Sequence, residues 1–225
     1  MFGGQAHPNV TVRGIINRGG EQGAQHSQAL HSWFAHIPGL RVVMPATVND
    51  ARDLLIASVL SPDPVVYIDD RWLYEQVETL EPIVELNLSE QRPVCLRKGN
   101  DLTLVASGYS TLQGLKVHDA LSKENISVEL IDLRVLNPLD PEVIIQSVEK
   151  TGKLLVLDGG WKTCGMAGEI IASVTEHLSP GILKIAPKRL TLPDAPAPSS
   201  SSLENSYYLS ISYLFKYIRN FLERL

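Results

Sequence analysis

Leu102-Thr103-Leu104-Val105-Ala106 and Ser127-Val128-Glu129-Leu130-Ile131 are short, β-branched runs separated by a helix-length segment, Thr111 to Lys123. Strands spaced this way are parallel neighbours joined by a right-handed helical crossover, and the first run reads as buried on both faces. The rhythm continues downstream. Pro141 to Lys150 reads as a helix, Leu154-Leu155-Val156-Leu157 as a strand, Gly168 to His177 as a helix and Leu183-Lys184-Ile185 as a last strand. Upstream the same alternation runs through Val10-Thr11-Val12-Arg13, Ser27 to His36, Arg41-Val42-Val43-Met44, Val48 to Leu60 and Val65-Val66-Tyr67-Ile68. The helix from Val48 carries its own signals: Thr47 as cap, Asp50 in the first turn and Pro62 just past the end. The fold class is α/β, with parallel-sheet architecture in two successive blocks.

Between the blocks, Glu75 to Gly99 carries Glu75, Glu78, Glu81, Glu85 and Glu90 with Pro82 and Pro93, and holds no sustained period. This divides the chain into a first unit at 1–80, a linker at 81–99 and a second unit at 100–208. Pro193-Asp194-Ala195-Pro196-Ala197-Pro198 and the serines at 199 to 202 read as an extended surface stretch. The last segment, 209–225, places Ile211, Leu214, Phe215, Ile218, Phe221, Leu222 and Leu225 on one helical face. Lys216, Arg219, Glu223 and Arg224 make that helix too polar to span a bilayer, so it is expected to pack on the body or on a partner subunit.

The whole chain has 225 residues, of which 44% are hydrophobic and 20% charged, a globular composition that excludes disorder and collagen-like repeats. Twenty Lys+Arg against 25 Asp+Glu give a net charge of −5, and no segment interleaves basic and aromatic residues, which argues against nucleic acid as a partner. Apolar runs such as Leu54 to Leu60 fall far short of the roughly 20 residues a membrane span requires. The opening Met-Phe-Gly-Gly-Gln-Ala-His-Pro has neither the basic nor the apolar part of a secretory signal. Cys95 and Cys164 stand apart with no CxxC, which argues against zinc or a disulfide framework. Both read as reduced, mostly buried thiols of a cytosol-like compartment.

Histidine is the first residue type to weigh for chemistry near neutral pH. His26, His31 and His36 are five apart, so on one helix they diverge by roughly 140°, whereas a chelating pair needs a spacing of three or four. His26 stands apart from the others. It opens the predicted helix directly after Arg13 to Gly23, a polar, glycine-rich strand-to-helix loop of the kind where ligands bind in open α/β sheets. It is therefore the candidate acid–base residue, with a surface or capping role as the other reading. His36, before Ile37-Pro38-Gly39, reads as a helix end, and His7, His118 and His177 as structural or exposed. Asp158-Gly159-Gly160-Trp161 and Gly165-Met166-Ala167-Gly168 contain neither a GxGxxG nor a P-loop, and a tight strand-to-helix turn accounts for them. Ser107-Gly108-Tyr109-Ser110 is not a nucleophile elbow, and its serines read as caps.

The run Gly23-Ala24-Gln25-His26-Ser27-Gln28, then His36-Ile37-Pro38-Gly39-Leu40-Arg41-Val42-Val43-Met44-Pro45, then Asp50-Ala51 and Pro64-Val65-Val66-Tyr67, resembles the β subunits of thiamine-diphosphate-dependent 2-oxo acid dehydrogenases, in the transketolase superfamily. Asp132-Leu133-Arg134-Val135-Leu136-Asn137-Pro138-Leu139-Asp140 and Asp158-Gly159-Gly160-Trp161 with Gly168-Glu169-Ile170 are similar to that family's C-terminal domain. The resemblance reaches about Tyr208. It implies a pyrimidine-binding domain, of which the N-terminal part is expected to be lacking here together with the family's cofactor-activating glutamate, followed by a transketolase C-terminal domain.

The resemblance further implies thiamine diphosphate with magnesium, shared with an α subunit, and a reaction that oxidatively decarboxylates a 2-oxo acid and transfers the acyl group to lipoamide on a lipoyl acyltransferase core. His26 matches the family histidine that faces the reacting carbon of the cofactor. Some members hold a structural potassium with backbone carbonyls, and the matching positions are Val10, Ser58, Val59, Ser61 and Asp63. The implied compartment is the bacterial cytoplasm, or the mitochondrial matrix or plastid where a transit peptide is missing from the chain. Two other readings stay open at this point: a transketolase-like or acyloin-forming enzyme without lipoamide, and a non-catalytic pseudo-subunit or assembly module.

Overall fold

The computed structural model of the chain describes residues 5–223. Its first sheet is built from β1 (Thr11–Ile16), β2 (Arg41–Val43), β3 (Val65–Asp70) and β7 (Val135–Asn137), in the order β1-β3-β2-β7. The first three are mutually parallel, and β7 adds on antiparallel to β2. The second sheet takes β4 (Val94–Arg97), β5 (Leu102–Ala106), β6 (Val128–Asp132), β8 (Leu154–Trp161) and β9 (Lys188–Leu192) in the order β4-β6-β5-β8-β9, parallel except for the edge strand β4. The helices are α1 (Gly23–His26), α2 (His31–Ala35), α3 (Val48–Leu60), α4 (Tyr109–Ser122), α5 (Glu142–Thr151), α6 (Met166–Thr175), α7 (Ser201–Tyr207) and α8 (Ile211–Leu222).

Local signals set several elements to the residue. α3 spans Val48–Leu60 as its pattern requires, with the Asp50 N–H donating to the Thr47 hydroxyl at 3.2 Å. Other elements depart from the sequence expectation. The segment 27–36 is not one helix: Ser27, Ala29 and His31 are all buried, a period of two that a helix cannot satisfy, so the chain runs irregularly from Ser27 to Leu30 before α2 begins. Asp158-Gly159-Gly160-Trp161 is not a turn but the far half of β8. Leu183-Lys184-Ile185 is not a strand, because the Lys184 N–H is spent on the Gly152 carbonyl at 2.8 Å and the ladder to β8 is taken by 188–192. The region read as linker contains β4, and β7 returns from the second block to the first sheet. The serines at 199–202 start α7, with Ser200 as its cap, while α4 is capped by Gly108 and not by a serine. Both cysteines are exposed, since Cys95 lies on an edge strand and Cys164 in the turn before α6.

The two sheets share one core. Ile16, Val42, Val66 and Ile68 of the first block pack in the same cluster as Val105, Ile131, Leu133, Val156 and Ile170 of the second. On the outer face of the second sheet, Leu214, Ile218 and Phe221 of α8 bury against Val117, Leu121 and Leu130, each side chain contributing about 1.5–3 kcal/mol by leaving water. Of the predicted helix, Arg224 and Leu225 lie outside the described residues. Among the described residues no helix is long and apolar enough to cross a membrane.

Asp132, at the end of β6, is fully buried, and Thr111 donates to one carboxyl oxygen at 3.0 Å. Burial pushes its pKa up to about 7, against the pull of the Thr111 hydroxyl. A folded value above the ordinary carboxylic value near 4 means that the folded state holds the proton longer than the unfolded chain. The stabilisation is therefore full below about pH 4, declines as pH rises and is gone above about pH 7. Urea unfolding at pH 5 and pH 8 tests this. The wild-type chain should lose on the order of a few kcal/mol between the two, and Asp132→Asn should lose clearly less; equal losses would assign the pH dependence to another group.

Candidate active site

β1 hands the chain to a loop that is anchored before it turns. Asn17 and Arg18 are buried, and Gly19, Gly20, Glu21 and Gly23 then reverse the chain with left-handed backbone, at φ of 67°, 72°, 61° and 60°. The side-chain amide of Asn17 donates to Gln22 inside the turn. The loop leads into the single turn α1, with His26 as its last residue and its ring exposed to solvent. His26 thus ends a helical turn and does not open one. Its place just past the glycine-rich loop that follows β1 is as the sequence indicated.

His31 is a different kind of histidine. Its Nε2 meets Asp158 Oδ1 at 2.9 Å, with side-chain exposures of 1% and 4%. Asp158 is further held by two backbone donors, the Gly160 N–H at 2.9 Å and the Ala167 N–H at 3.0 Å. Burial would raise the Asp158 carboxyl, but the adjoining His31 and these N–H groups outweigh it and hold the carboxyl below its usual range. Gly160 has to be glycine, because a Cβ there would lie 2.9 Å from the His31 ring. This pair joins α2 of the first block to β8 of the second, and its burial closes it to any substrate.

Arg18 makes a second bridge between the blocks. Its Nε donates to Asp70 Oδ2 at 2.7 Å, with the pair only 4% and 0% exposed, and its Nη1 donates to the Gly159 carbonyl at 3.1 Å. Such a pair is costly to bury, and its gain is positional: it fixes the start of the loop against β8. Arg134, just past β6, grips Asp50 of α3 through two hydrogen bonds of 2.6 and 3.0 Å. Local sequence signals neither His31–Asp158 nor Arg18–Asp70. The spacing of His31 bears only on metal ligation, and Asp158 marks only the edge of a glycine run.

Among the described residues no group of His, Cys, Asp or Glu is arranged to hold a metal ion. Four of the five carbonyls suggested for potassium accept hydrogen bonds from the chain itself. Ser58 O accepts from the Thr11 hydroxyl at 2.7 Å and Val10 O from the Val65 N–H at 2.9 Å. The Asn9 amide, in the orientation its neighbours require, donates to Val59 O at 3.3 Å and Ser61 O at 3.1 Å. Side chains of Asn9 and Thr11 thus already donate to three of these carbonyls, each of which is an acceptor with two lone pairs.

Residues 93–212 match the transketolase C-terminal domain family, and residues 1–76 match the transketolase pyrimidine binding domain family. The chain is 37% identical over 215 residues to the acetoin:2,6-dichlorophenolindophenol oxidoreductase subunit beta of Cupriavidus necator, covering 95% of this chain and 63% of that protein. It is 36% identical over 208 residues to the pyruvate dehydrogenase E1 component subunit beta of Rhizobium meliloti, covering 91% and 44%. A mitochondrial pyruvate dehydrogenase E1 subunit beta of Oryza sativa is 37% identical over 211 residues, covering 91% and 55%. The chain therefore spans about half to two thirds of the length of these relatives. A solved structure described as a split gene transketolase, inactive beta4 tetramer, shares the fold with a TM-score of 0.75 at 20% identity, covering 95% of this chain and 66% of that one.

The buried bridge between the blocks is directly testable. Asp158→Ala strands His31 and the two N–H groups, and should cost about 3–5 kcal/mol in urea unfolding at pH 7. In the wild type, the carboxylate's contribution is present above the ordinary carboxylate range and lost as pH falls through its lowered folded value. A cost below about 1 kcal/mol would show that the pair does not hold the blocks together.

Proposed function

Because the chain belongs to the transketolase family, we propose that it serves as a β subunit of a thiamine-diphosphate-dependent 2-oxo acid dehydrogenase. With an α subunit it decarboxylates a 2-oxo acid oxidatively and passes the acyl group to the disulfide of a lipoyl group carried by an acyltransferase core. The names of the relatives support this over the other readings, since they are β subunits of pyruvate dehydrogenase and acetoin oxidoreductase systems. Its compartment is then the bacterial cytoplasm, or the matrix or plastid of a eukaryote.

The observation that carries the proposal is the contrast between the two neighbouring histidines. His31 is buried and bound to Asp158, whereas His26 is exposed at the end of the helical turn that follows the glycine-rich loop after β1. An exposed imidazole is open to a substrate that a partner presents, and both of its ring nitrogens can handle protons. When bound, thiamine diphosphate would supply the nucleophilic carbon and the electron sink for decarboxylation. This chain's part is to hold or deliver a proton at the substrate oxygen through the His26 ring, and to keep that ring in place through the anchored loop. The diphosphate and its magnesium would be held by the α subunit.

With the α subunit and a 2-oxo acid supplied, His26→Ala should lower carbon dioxide release at least roughly 100-fold, the scale of a positioned acid–base group. The exposed site makes this change safe for folding, which urea unfolding can confirm. Turnover within about threefold of wild type would remove His26 from the reaction.

A further inference from the structure

The loop that presents His26 is held at a second place, by a segment far along the chain. The Glu21 N–H donates to Glu204 Oε1 at 2.9 Å, and Glu21 Oε1 in turn accepts from the Ser201 N–H at 2.8 Å. This is the reciprocal exchange of a capping box, but made between two distant stretches of chain. Glu204 is buried, although it lies on an otherwise polar turn of α7. Glu21 takes the left-handed backbone, at φ 61°, that turns the chain into Gly23 and α1. Gly23 itself seats on the same segment, where a Cβ would lie 3.2 Å from the Cβ of Ser199.

We propose that Glu204 and Glu21 are positioning residues for His26: the Glu21–Ser201 and Glu21–Glu204 bonds let the 199–204 segment set where the one-turn helix α1 places the imidazole. The proposal rests on the acid–base reading of His26. The physical case is that a single helical turn has no stability of its own, so its orientation must come from its anchors. Arg18 anchors the loop before the turn, and the Glu21–Glu204 pair anchors it three residues later, two positions ahead of Gly23. The Gly159 carbonyl that holds Arg18 and the Glu204 carboxylate that holds Glu21 both belong to the second block, while Asp70 of the first block holds the Arg18 Nε.

Amide hydrogen exchange on the full chain tests this without any activity. In Glu204→Ala, amides 20–26 should exchange about tenfold faster, while those of Leu102–Ala106 stay as in wild type. Glu204→Gln keeps an acceptor and should stay within about twofold of wild type. Glu21→Ala, at an exposed position, removes the reciprocal bond and serves if Glu204→Ala does not fold. With the α subunit, Glu204→Ala should lower kcat about tenfold with little change in KM, and Glu204→Gln should restore it. Unchanged exchange in both alanine variants, or failure of glutamine to restore, overturns the proposal. If His26→Ala is inactive while the loop is indifferent to both alanine changes, the positioning role alone falls. If the loop loosens but His26→Ala keeps full turnover, the acid–base reading falls and the positioning role falls with it.

Discussion

The carboxylate of Asp158 belongs to the second sheet, yet its side-chain partner is a histidine from the first block. Much else depends on that one buried contact. His31 must point inward to reach it, so Ser27 to Leu30 cannot continue a helix, and α1 is left as a single turn with His26 at its end. Gly159 and Gly160 are fixed by the same approach, because side chains there would run into Arg18 and His31. The extra length of β8 gives Asp158 a rigid strand to stand on and two backbone donors to complete its shell.

The two blocks are therefore less independent than a linker rich in Glu and Pro implies. β7 leaves the second block to pair with β2, Arg134 reaches back to Asp50, and the largest apolar cluster draws side chains from both sheets. The arrangement gives two neighbouring histidines opposite settings: the enclosed one joins the blocks, and the other is exposed to solvent. The loop carrying the exposed one is fastened by Arg18 on one side of its turn and by Glu21 on the other.

What is legible in the sequence is what local chemistry decides. The strand at Leu102–Ala106 and the helix at Val48–Leu60 have their own periodicity and caps, and the fold family shows through short runs around His26 and Asp132. What is not legible depends on partners far along the chain. Residues 27 to 30 have helix-compatible side chains, yet Ser27 and Ala29 are both buried and the chain runs irregularly between α1 and α2. β4 and β7 are short, and they exist only because a strand edge is there to receive them. Glu21 and Glu204 are 183 residues apart, and nothing in the sequence of either announces the other. The residues at 27 to 31, Ser-Gln-Ala-Leu-His, show no period-two apolar pattern, so the break in the helix is visible only in their burial.

On this account the second block holds the first in place as part of one cooperative unit. Native-state hydrogen exchange under increasing denaturant measures this directly, by comparing amides of β3 with those of β5 and β8. If the bridges and the shared core act as described, both sets open with the same free energy and the same denaturant dependence, in a single global unfolding. A separate, lower-energy opening of β3 while β5 and β8 stay protected would contradict the account and return the blocks to independent domains.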